Sequence, residues 1–472
     1  MTDPTRTSPS ISADRSTHRW WALVVLALAQ FLVVLDATVV NIALPSIGTD
    51  LELDTTSLAW VITAYVLPFG GLLLFGGRLA DRFGHRRLFL IGVAGFVAAS
   101  AVAGLAISGE MLLAARAAQG ASAALLAPAA LALLTHLFRT PADRAKALGI
   151  WAAVAGFGSA AGVLLGGVLT AAFGWSAVFF INVPIGVAVL IAIPLLVTRD
   201  RTGSTLGLDV AGTVTVTAGL VALVFGFTQA EQRGFASPVV LGLFAAAIAL
   251  IAAFVVIEKR SASPLVPLGV FRTASITAGN IAVLTLGAAT VALFFALSVY
   301  MQAVLGYDAL TAGLTQLPLA GVLVVAAGLV PAVIGRIGAR RTLVGSFVVL
   351  AAGLVWLSFA PSDASFVLHL LAPTLVIGIG LGGAFVASTD LAVSGATEAQ
   401  AGLASGLVNT SQQIGGAVGL SVLATVAASR TESVLAGGAT MDAALTAGFA
   451  WAFIGAAVLV LIGALATALI RD

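Results

Sequence analysis

The chain has 472 residues, of which 60% are hydrophobic and only 9% carry a charge. Soluble proteins contain about 25% charged residues, so this composition excludes an ordinary water-soluble domain and predicts a polytopic membrane protein. The net charge of +2 argues against nucleic-acid binding, and the absence of cysteine excludes disulfides and thiol ligands. The four histidines are scattered, so we expect neither a metal site nor a cofactor.

A polar tail over residues 1–19 precedes the first apolar run and is predicted to be disordered, because it has few apolar residues to pack. Beyond it, clusters of charged residues divide the apolar sequence into fourteen predicted membrane helices. A helix needs about 20 residues to cross a bilayer, and each segment is close to that length or longer. The predicted helices span 20–46, 57–77, 88–108, 110–134, 146–170, 176–197, 209–229, 238–257, 274–302, 309–332, 342–360, 365–387, 401–427 and 447–470.

The basic residues test this division, because cytoplasmic loops hold an excess of Lys and Arg. If the first helix starts in the cytoplasm, nineteen of the 22 basic residues fall on the cytoplasmic side. Arg233 and Arg430 fall on the other side, and Arg116 falls within a helix. We therefore expect an even number of helices with both termini in the cytoplasm. The Ala-, Gly- and Arg-rich composition indicates a bacterial cytoplasmic (inner) membrane.

Two motifs recur along the chain. DRFGHRR at 81–87 reappears as GRIGARR at 335–341, and AKALGIWAAVAG at 145–156 resembles AGLASGLVNTSQ at 401–412. The two offsets are nearly equal, so the first six and last six helices are predicted to be structural copies with two helices inserted between them. The predicted organisation is a tail over 1–19, a six-helix half over 20–200, an inserted pair with linkers over 201–273 and a second six-helix half over 274–472.

The first predicted helix contains one carboxylate, Asp36. A carboxylate within a membrane helix costs about 2.5–3.5 kcal/mol on insertion scales, and intramembrane ionisable residues are functional by default. Burial favours the neutral carboxyl and a nearby cation favours the carboxylate, so a residue that meets both environments in turn binds and releases a proton. The alternative is a structural aspartate that is hydrogen-bonded to Thr38, Asn41 or a neighbouring helix.

Arg116 is the one basic residue within a predicted helix, and arginine stays charged in proteins. It needs a counter-charge or water, so we expect it to face a central cavity and to act on the first helix through Asp36 or Gln30. The alternatives are snorkelling to the interface and pairing with Glu110. The predicted proton-coupling residues are therefore Asp36 and Arg116.

Several local motifs together resemble the major facilitator superfamily, in particular its fourteen-helix drug:proton antiporter branch. LDATVVNIALPSI at 35–47 resembles the first-helix motif of that branch, and GGRLADRFGHRRLFL at 76–90 matches the superfamily's signature for the loop between helices 2 and 3. LLAARAAQGASAA at 112–124 is similar to the fourth-helix motif, and GSAAGVLLGGVL at 158–169 to the antiporter motif of the fifth helix. In the fifth helix the family's Gly-Pro is replaced by Gly162-Val163, which leaves the direction of transport open.

The resemblance implies a fold of two six-helix bundles with a gate in the loop after the second helix. Asp81 of this gating loop would lie against the positive N-terminus of the thirteenth helix; the alternative is that the loop's charges only set the topology. The fifth helix carries small residues four apart, which permits close packing, in this fold against the tenth helix. The gating-loop residues are Gly77, Asp81, Arg82, Gly84 and Arg86, and the helix-5 packing motif is Gly158, Gly162, Gly166 and Gly167.

A substrate cavity between the halves should be lined by polar, uncharged side chains. Some of the candidates would instead form hydrogen bonds between helices. The candidates are Gln30, Asn41, Tyr65, Gln119, Asn280, Gln316, Asn409 and Gln413, with Asn182, Gln302 and Gln412 as further members.

These observations predict a monomeric proton-coupled antiporter that exports lipophilic or cationic small molecules by alternating access, with the proton gradient as its energy source. The absence of a GxxxxGK[ST] loop argues against direct use of ATP. The alternatives of the same fold are an exporter of one metabolite or antibiotic and a proton-coupled symporter. A polytopic membrane enzyme would need a reactive constellation such as a Ser–Lys dyad, which the sequence does not offer, and the symmetric halves argue against a channel.

Overall fold

The structure is a computed structural model that describes residues 11–138, 140–198, 209–394 and 401–470. These residues are almost entirely helical. The α-helices are α1 Ile11–Asp50, α2 Thr55–Phe83, α3 His85–Gly104, α4 Gly109–Leu137, α5 Pro141–Phe173, α6 Ala177–Phe180, α7 Asn182–Leu196, α8 Val210–Arg233, α9 Pro238–Arg260, α10 Ala274–Val299, α11 Ala309–Ile337, α12 Ala339–Leu357, α13 Leu371–Ser394, α14 Ala401–Ala436 and α15 Met441–Leu469.

The predicted number of membrane helices is confirmed. Thirteen helices of the described chain are long and apolar enough to cross a bilayer, and α5, with its apolar stretch Ala161–Phe173, accounts for the fourteenth. The sixth predicted helix is divided at Ile181 into α6 and α7. Turns of π-helix at Tyr300–Val304 and Phe366–Leu370 extend α10 and precede α13.

The prediction of a disordered tail is wrong for residues 11–19, because α1 begins at Ile11. Extending an existing helix adds one hydrogen bond for each residue fixed, whereas starting a helix is costly. The apolar run after Trp20 supplies the stable helix from which the polar segment continues. The first ten residues lie outside the described part of the chain.

Aspartate caps begin corresponding helices of the two halves. The Asp54 carboxylate accepts a hydrogen bond of 2.8 Å from the Ser57 backbone N–H at the start of α2, and Asp308 accepts one of 2.8 Å from Thr311 at the start of α11. Hydrogen bonds from the hydroxyl and the backbone N–H of Thr311 lower the pKa of Asp308. The two caps are 254 positions apart, as are the two copies of the loop motif, which supports the internal repeat.

The helices form two bundles and an inserted pair. Helices α1–α7 pack on one another, α10–α15 do the same, and α8 and α9 form a hairpin whose first helix packs on both α2 and α14. The two bundles meet where α1 contacts α10 and α11, α2 contacts α14, and α5 contacts α11.

The contacts between the bundles show which end of the molecule is closed. The Ser298 hydroxyl donates to the Asn41 carbonyl oxygen at 2.6 Å, and the Gln302 amide donates to the Ile42 carbonyl oxygen at 3.0 Å. Gly167 of α5 lies against the backbone of Ala309. All three contacts lie toward the end of the bundle remote from the chain termini, so the two halves are held together at that end.

The helix-5 packing motif mainly contacts α1, and the expectation that it packs on the tenth predicted helix is right only for Gly167. A Cβ on Gly158 would lie 3.2 Å from Phe31, and one on Gly166 would lie 2.8 Å from the Val39 carbonyl oxygen. Gly162 faces Thr38 in the same way. Three glycines spaced four residues apart share one helix face, and that face is pressed against the helix that carries Asp36.

Gly120 illustrates how close the helices lie, because a Cβ at this position of α4 would overlap the Tyr65 carbonyl oxygen of α2. We predict that Gly120→Ala lowers the thermal unfolding temperature in detergent, because overpacking costs about 1–3 kcal/mol. The matched control is Gly242→Ala on α9, where a Cβ would meet nothing within 4 Å. This control should leave the temperature unchanged or raise it, since alanine favours helix by up to about 1 kcal/mol. Equal effects of the two substitutions would contradict the packing described.

Candidate functional site

Asp36 of α1 points into the interior of the α1–α7 bundle and is fully buried, with 0% of its surface exposed. The side chains around it come from helices that are distant in sequence. Arg116 and Gln119 belong to α4, Ser100 to α3 and Asn182 to α7, and all of them are buried. We refer to Asp36, Ser100, Arg116, Gln119 and Asn182 as the Asp36 cluster.

The carboxylate of Asp36 accepts three hydrogen bonds. Its Oδ2 atom accepts from the Arg116 guanidinium at 2.5 Å, and its Oδ1 atom accepts from the Gln119 amide at 3.0 Å and the Asn182 amide at 2.7 Å. A carboxylate in a low-dielectric interior needs such donors, because an unpaired buried charge is very costly. The cluster is therefore built for the ionised form of Asp36.

Arg116 is held in place on several sides. Its Nε atom donates to the Val61 carbonyl oxygen at 3.0 Å, and its NH1 group also donates to the Gln119 side-chain oxygen at 2.9 Å. The guanidinium carbon lies 4.4 Å from the centre of the Tyr65 ring, which is a cation–π distance. The absence of a Cβ on Gly120 allows α4 to come close enough to α2 for these contacts.

Two polar atoms at the Asp36 cluster have no hydrogen-bond partner. They are the Tyr65 hydroxyl and the Asn182 side-chain oxygen, and both are buried. A buried polar atom without a partner costs about 1–3 kcal/mol and calls for an explanation. In the Gln119 amide, by contrast, both the nitrogen and the oxygen have hydrogen-bond partners. The nitrogen donates to Asp36 and to the Ser100 hydroxyl at 2.8 Å, and the oxygen accepts from Arg116.

The structure thus brings the two predicted proton-coupling residues together in one ion pair. Their side chains are 0% and 1% exposed, so a proton can reach Asp36 only after some of the surrounding helices move. The proposed alternative partners of Asp36 are occupied elsewhere, since Thr38 donates to the Val34 carbonyl oxygen and Asn41 to that of Ala37.

One prediction about Arg116 is wrong, and one alternative is not observed. It does not face a central cavity, because α2, α4 and the Tyr65 ring enclose it within the first bundle. It also does not pair with Glu110, which is exposed at the start of α4, six residues or about 9 Å along the helix from Arg116. Of the two contacts expected on the first helix, Asp36 is the one that the structure shows, and the hydrogen bonds of Arg116 do not include Gln30.

The prediction of a cavity wall is also wrong for Tyr65, Gln119 and Asn182, which lie in or against the Asp36 cluster. Asn280 is buried in the second bundle, where it donates to the Ile276 carbonyl oxygen and accepts from Ser411. Other candidates lie where the halves face each other, as Asn41 does beside Ser298 and Gln413 does beside Gly70. The remaining candidates range from buried Gln316 through half-buried Gln30 to exposed Asn409.

The gating loop turns sharply between α2 and α3. Gly84 has a φ angle of 96°, which a side chain would strain, and Asp81 pairs with His85 at 3.1 Å. Arg86 donates to the Pro194 carbonyl oxygen at 3.1 Å and so ties the loop to α7. The predicted contact of Asp81 is with the start of the thirteenth predicted helix, and residues 395–400 just before that helix lie outside the described chain, so this contact stays a prediction.

Ser100 and the role of Asn182 were missed by sequence reasoning. A serine in a membrane helix gives no signal, because small hydroxyl residues pack anywhere along such helices. Asn182 lies in the segment FFINVPIG, where it is the only strongly polar residue, and that isolation was the available signal. Among the described residues no group of three His, Cys, Asp or Glu side chains could hold a metal ion.

The arrangement defines a class of protein: a polytopic transporter built from two six-helix bundles and an inserted helix pair. The sequence model of the Major Facilitator Superfamily matches residues 26–420, and the chain belongs to this superfamily. It is accordingly a transporter and not an enzyme.

Two relatives and one solved structure illustrate the similarity. The chain is 41% identical to the puromycin resistance protein pur8 of Streptomyces alboniger over 91% of this chain and 86% of that protein. It is also 41% identical to the cephamycin export protein CmcT of Amycolatopsis lactamdurans over 98% of this chain and 94% of that protein. The POT family transporter PepTSo shares the fold, with a TM-score of 0.70 at 15% identity over 97% of this chain and 99% of that one.

The buried pair predicts a double-mutant rescue. Removing one partner of a buried ion pair costs about 3–5 kcal/mol, because the other charge is left without compensation. We predict that Arg116→Gln and Asp36→Asn each lower the thermal unfolding temperature in detergent, and that the double variant unfolds at a higher temperature than Arg116→Gln alone. Additive losses in the double variant would show that the two charges do not interact.

Proposed function

We propose that this protein exports lipophilic small molecules of the antibiotic class from a bacterial cell, in exchange for protons. The observation that carries the proposal is the sealed Asp36–Arg116 ion pair inside a transporter whose relatives are named for antibiotic resistance and export. Burying an acid within a membrane bundle costs free energy, and an intramembrane ionisable residue is functional by default. Proton exchange is the function that best fits a buried acid with one cationic partner.

The transport cycle that we propose is alternating access between the two bundles. With both termini in the cytoplasm, the contacts of Asn41, Ile42 and Gly167 with the second bundle close the outer end. The hydrogen bonds that Ser298 and Gln302 form across the two bundles both lie at this end. The structure would then represent the state that takes up cargo from inside. Separation of the outer contacts and closure of the gating loop would expose the cargo to the other side.

Protonation of Asp36 would drive the change between these states. It removes the negative charge that Arg116 needs, so the guanidinium must find water or another partner, and the α1–α4 contact weakens. The membrane potential supplies about 2.3 kcal/mol per charge per 100 mV, and each unit of pH difference supplies about 1.4 kcal/mol. Energies of this size are comparable with the cost of breaking one buried ion pair.

Asn182 would then respond to the protonation state of Asp36. A protonated carboxyl has an O–H donor that needs an acceptor, and the Asn182 oxygen is a buried acceptor without a partner. Rotation of the Asn182 amide by half a turn would replace the N–H donor with this oxygen. Gln119 could not do the same, because its oxygen is held by Arg116.

Whether the protein exports one compound or many is a separate question from its proton coupling. Two relatives that are each 41% identical to the chain are named for different antibiotics, so overall identity does not assign one compound. An exporter of one antibiotic therefore stays an alternative to a multidrug exporter. A panel of dyes and antibiotics, tested for accumulation in an efflux-deficient bacterial host, would separate the two.

The central prediction concerns Asp36→Asn, which keeps the shape of the side chain but cannot carry a proton. In everted membrane vesicles we predict that this variant loses at least 90% of the drug uptake driven by a pH gradient. The matched control is Asp308→Asn, because asparagine also caps helices and Asp308 lies outside the Asp36 cluster. Uptake at the wild-type rate by Asp36→Asn would remove Asp36 from the mechanism.

The difference between the hydrogen bonds of Gln119 and those of Asn182 gives a second prediction. Gln119→Leu removes a donor that serves only the carboxylate form, so less acid should be needed for half-maximal transport, by about one pH unit. Asn182→Leu removes a group that can hydrogen-bond to both the ionised and the protonated Asp36. The transport rate should therefore fall, while the half-maximal pH moves by less than half a unit. Vesicle uptake measured across an external pH series distinguishes the two, and an equal shift in both variants would contradict the rotation of Asn182.

A further inference from the structure

A groove of about 350 Å³ runs along the surface where the inserted helix pair meets the second bundle, at the end remote from the chain termini. Its walls come from α8, the loop after it, α14 and α15. The lining is predominantly apolar and aromatic, with three hydroxyl residues and one charge. The lining residues are Phe227, Phe235, Val422, Thr425, Val426, Ser429, Arg430, Ser433 and Trp451.

The groove opens sideways rather than into the interface between the halves. Phe235 is 56% exposed and Trp451 is 50% exposed, so large aromatic surfaces at its rim lie on the outside of the helix bundle. Along α14 the lining extends from Val422 to Ser433, which is about 16 Å at 1.5 Å per residue. This length is close to half of the roughly 30 Å hydrocarbon core, the depth that one leaflet provides.

Arg430 is the charged residue of the groove. Its guanidinium carbon lies 5.8 Å from the centre of the Trp451 ring, and no carboxylate of the described chain pairs with it. Glu432 is two residues away and therefore points from a different side of α14. Arg430 lies three residues from the end of the groove that is nearest the loop to α15.

We propose that this groove binds one anionic phospholipid of the surrounding leaflet, with an acyl chain along α8 and α14 and the phosphate on Arg430. The length of the groove matches one leaflet, its apolar walls suit an acyl chain, and its cation stands near the end where a headgroup would lie. The lipid would fill the space between α8 and the second bundle. This proposal does not depend on proton coupling or on the identity of the cargo.

The test is native mass spectrometry of the purified protein, titrated with phosphatidylglycerol and, separately, with zwitterionic phosphatidylcholine. We expect wild type to retain one phosphatidylglycerol more tightly than phosphatidylcholine. Arg430→Gln should weaken the retained phosphatidylglycerol about fivefold, and Arg430→Lys should keep most of it, because one basic side chain contributes about this factor near an anionic lipid. The matched control is Arg233→Gln, the other basic residue at this end, which should bind as wild type does.

A second variant tests the walls of the groove without changing the charge. Val426→Trp should fill part of the groove and reduce the retained phosphatidylglycerol while Arg430 is kept, provided that the variant elutes as wild type does on size exclusion. Three results would overturn the proposal: unchanged phosphatidylglycerol binding by Arg430→Gln, an equal loss in Arg233→Gln, or displacement of the lipid by a lipophilic drug, which would instead assign the groove to cargo.

Discussion

The structure depends on one ion pair that is removed from water. Asp36 and Arg116 lie 2.5 Å apart with almost no exposed surface, inside a bundle whose other contacts are mainly apolar. A charge in such surroundings is stable only when its partner and its hydrogen-bond donors are all in place. The pair therefore fixes the relative positions of α1 and α4, and in the cycle that we propose, protonation of Asp36 would release them.

Close packing connects the ion pair to the rest of the molecule. The glycine face of α5 is pressed against α1 at Phe31, Thr38 and Val39, next to Asp36. Farther along the same helix, Gly167 contacts Ala309 of the second bundle. The packing thus connects the contact between α1 and α4, through α5, to the contacts that close one end. Close packing without side chains between the helices makes this connection stiff.

Much of the fold could be predicted from the sequence, because the bilayer imposes length and hydrophobicity on every spanning helix. The alternation of basic residues and the repeated loop motif gave the helix count and the two halves. The split of the sixth helix at Ile181 and the helical start at Ile11 could not be predicted, since both depend on local backbone geometry rather than on hydrophobicity.

The candidate site was predicted less completely. Asp36 and Arg116 stand out because a charge in an apolar helix is rare, so sequence reasoning could find both and connect them. It could not determine which side of α4 faces α1, and it therefore placed Arg116, Tyr65 and Gln119 at a cavity. Polar residues that line a cavity and polar residues that join helices have the same composition, and only their direction in the fold separates them.

The most direct test of this account is the release of protons when cargo binds. Purified protein is brought to an acidic pH at which Asp36 is protonated, in weakly buffered detergent solution, and is mixed with a drug that it transports. It should release close to one proton per molecule, measured with a pH-indicator dye. The Asp36→Asn variant should bind the same drug and release none. Equal proton release by the variant and the wild type would show that the exchanged proton is carried elsewhere, and the account built on the Asp36–Arg116 pair would be wrong.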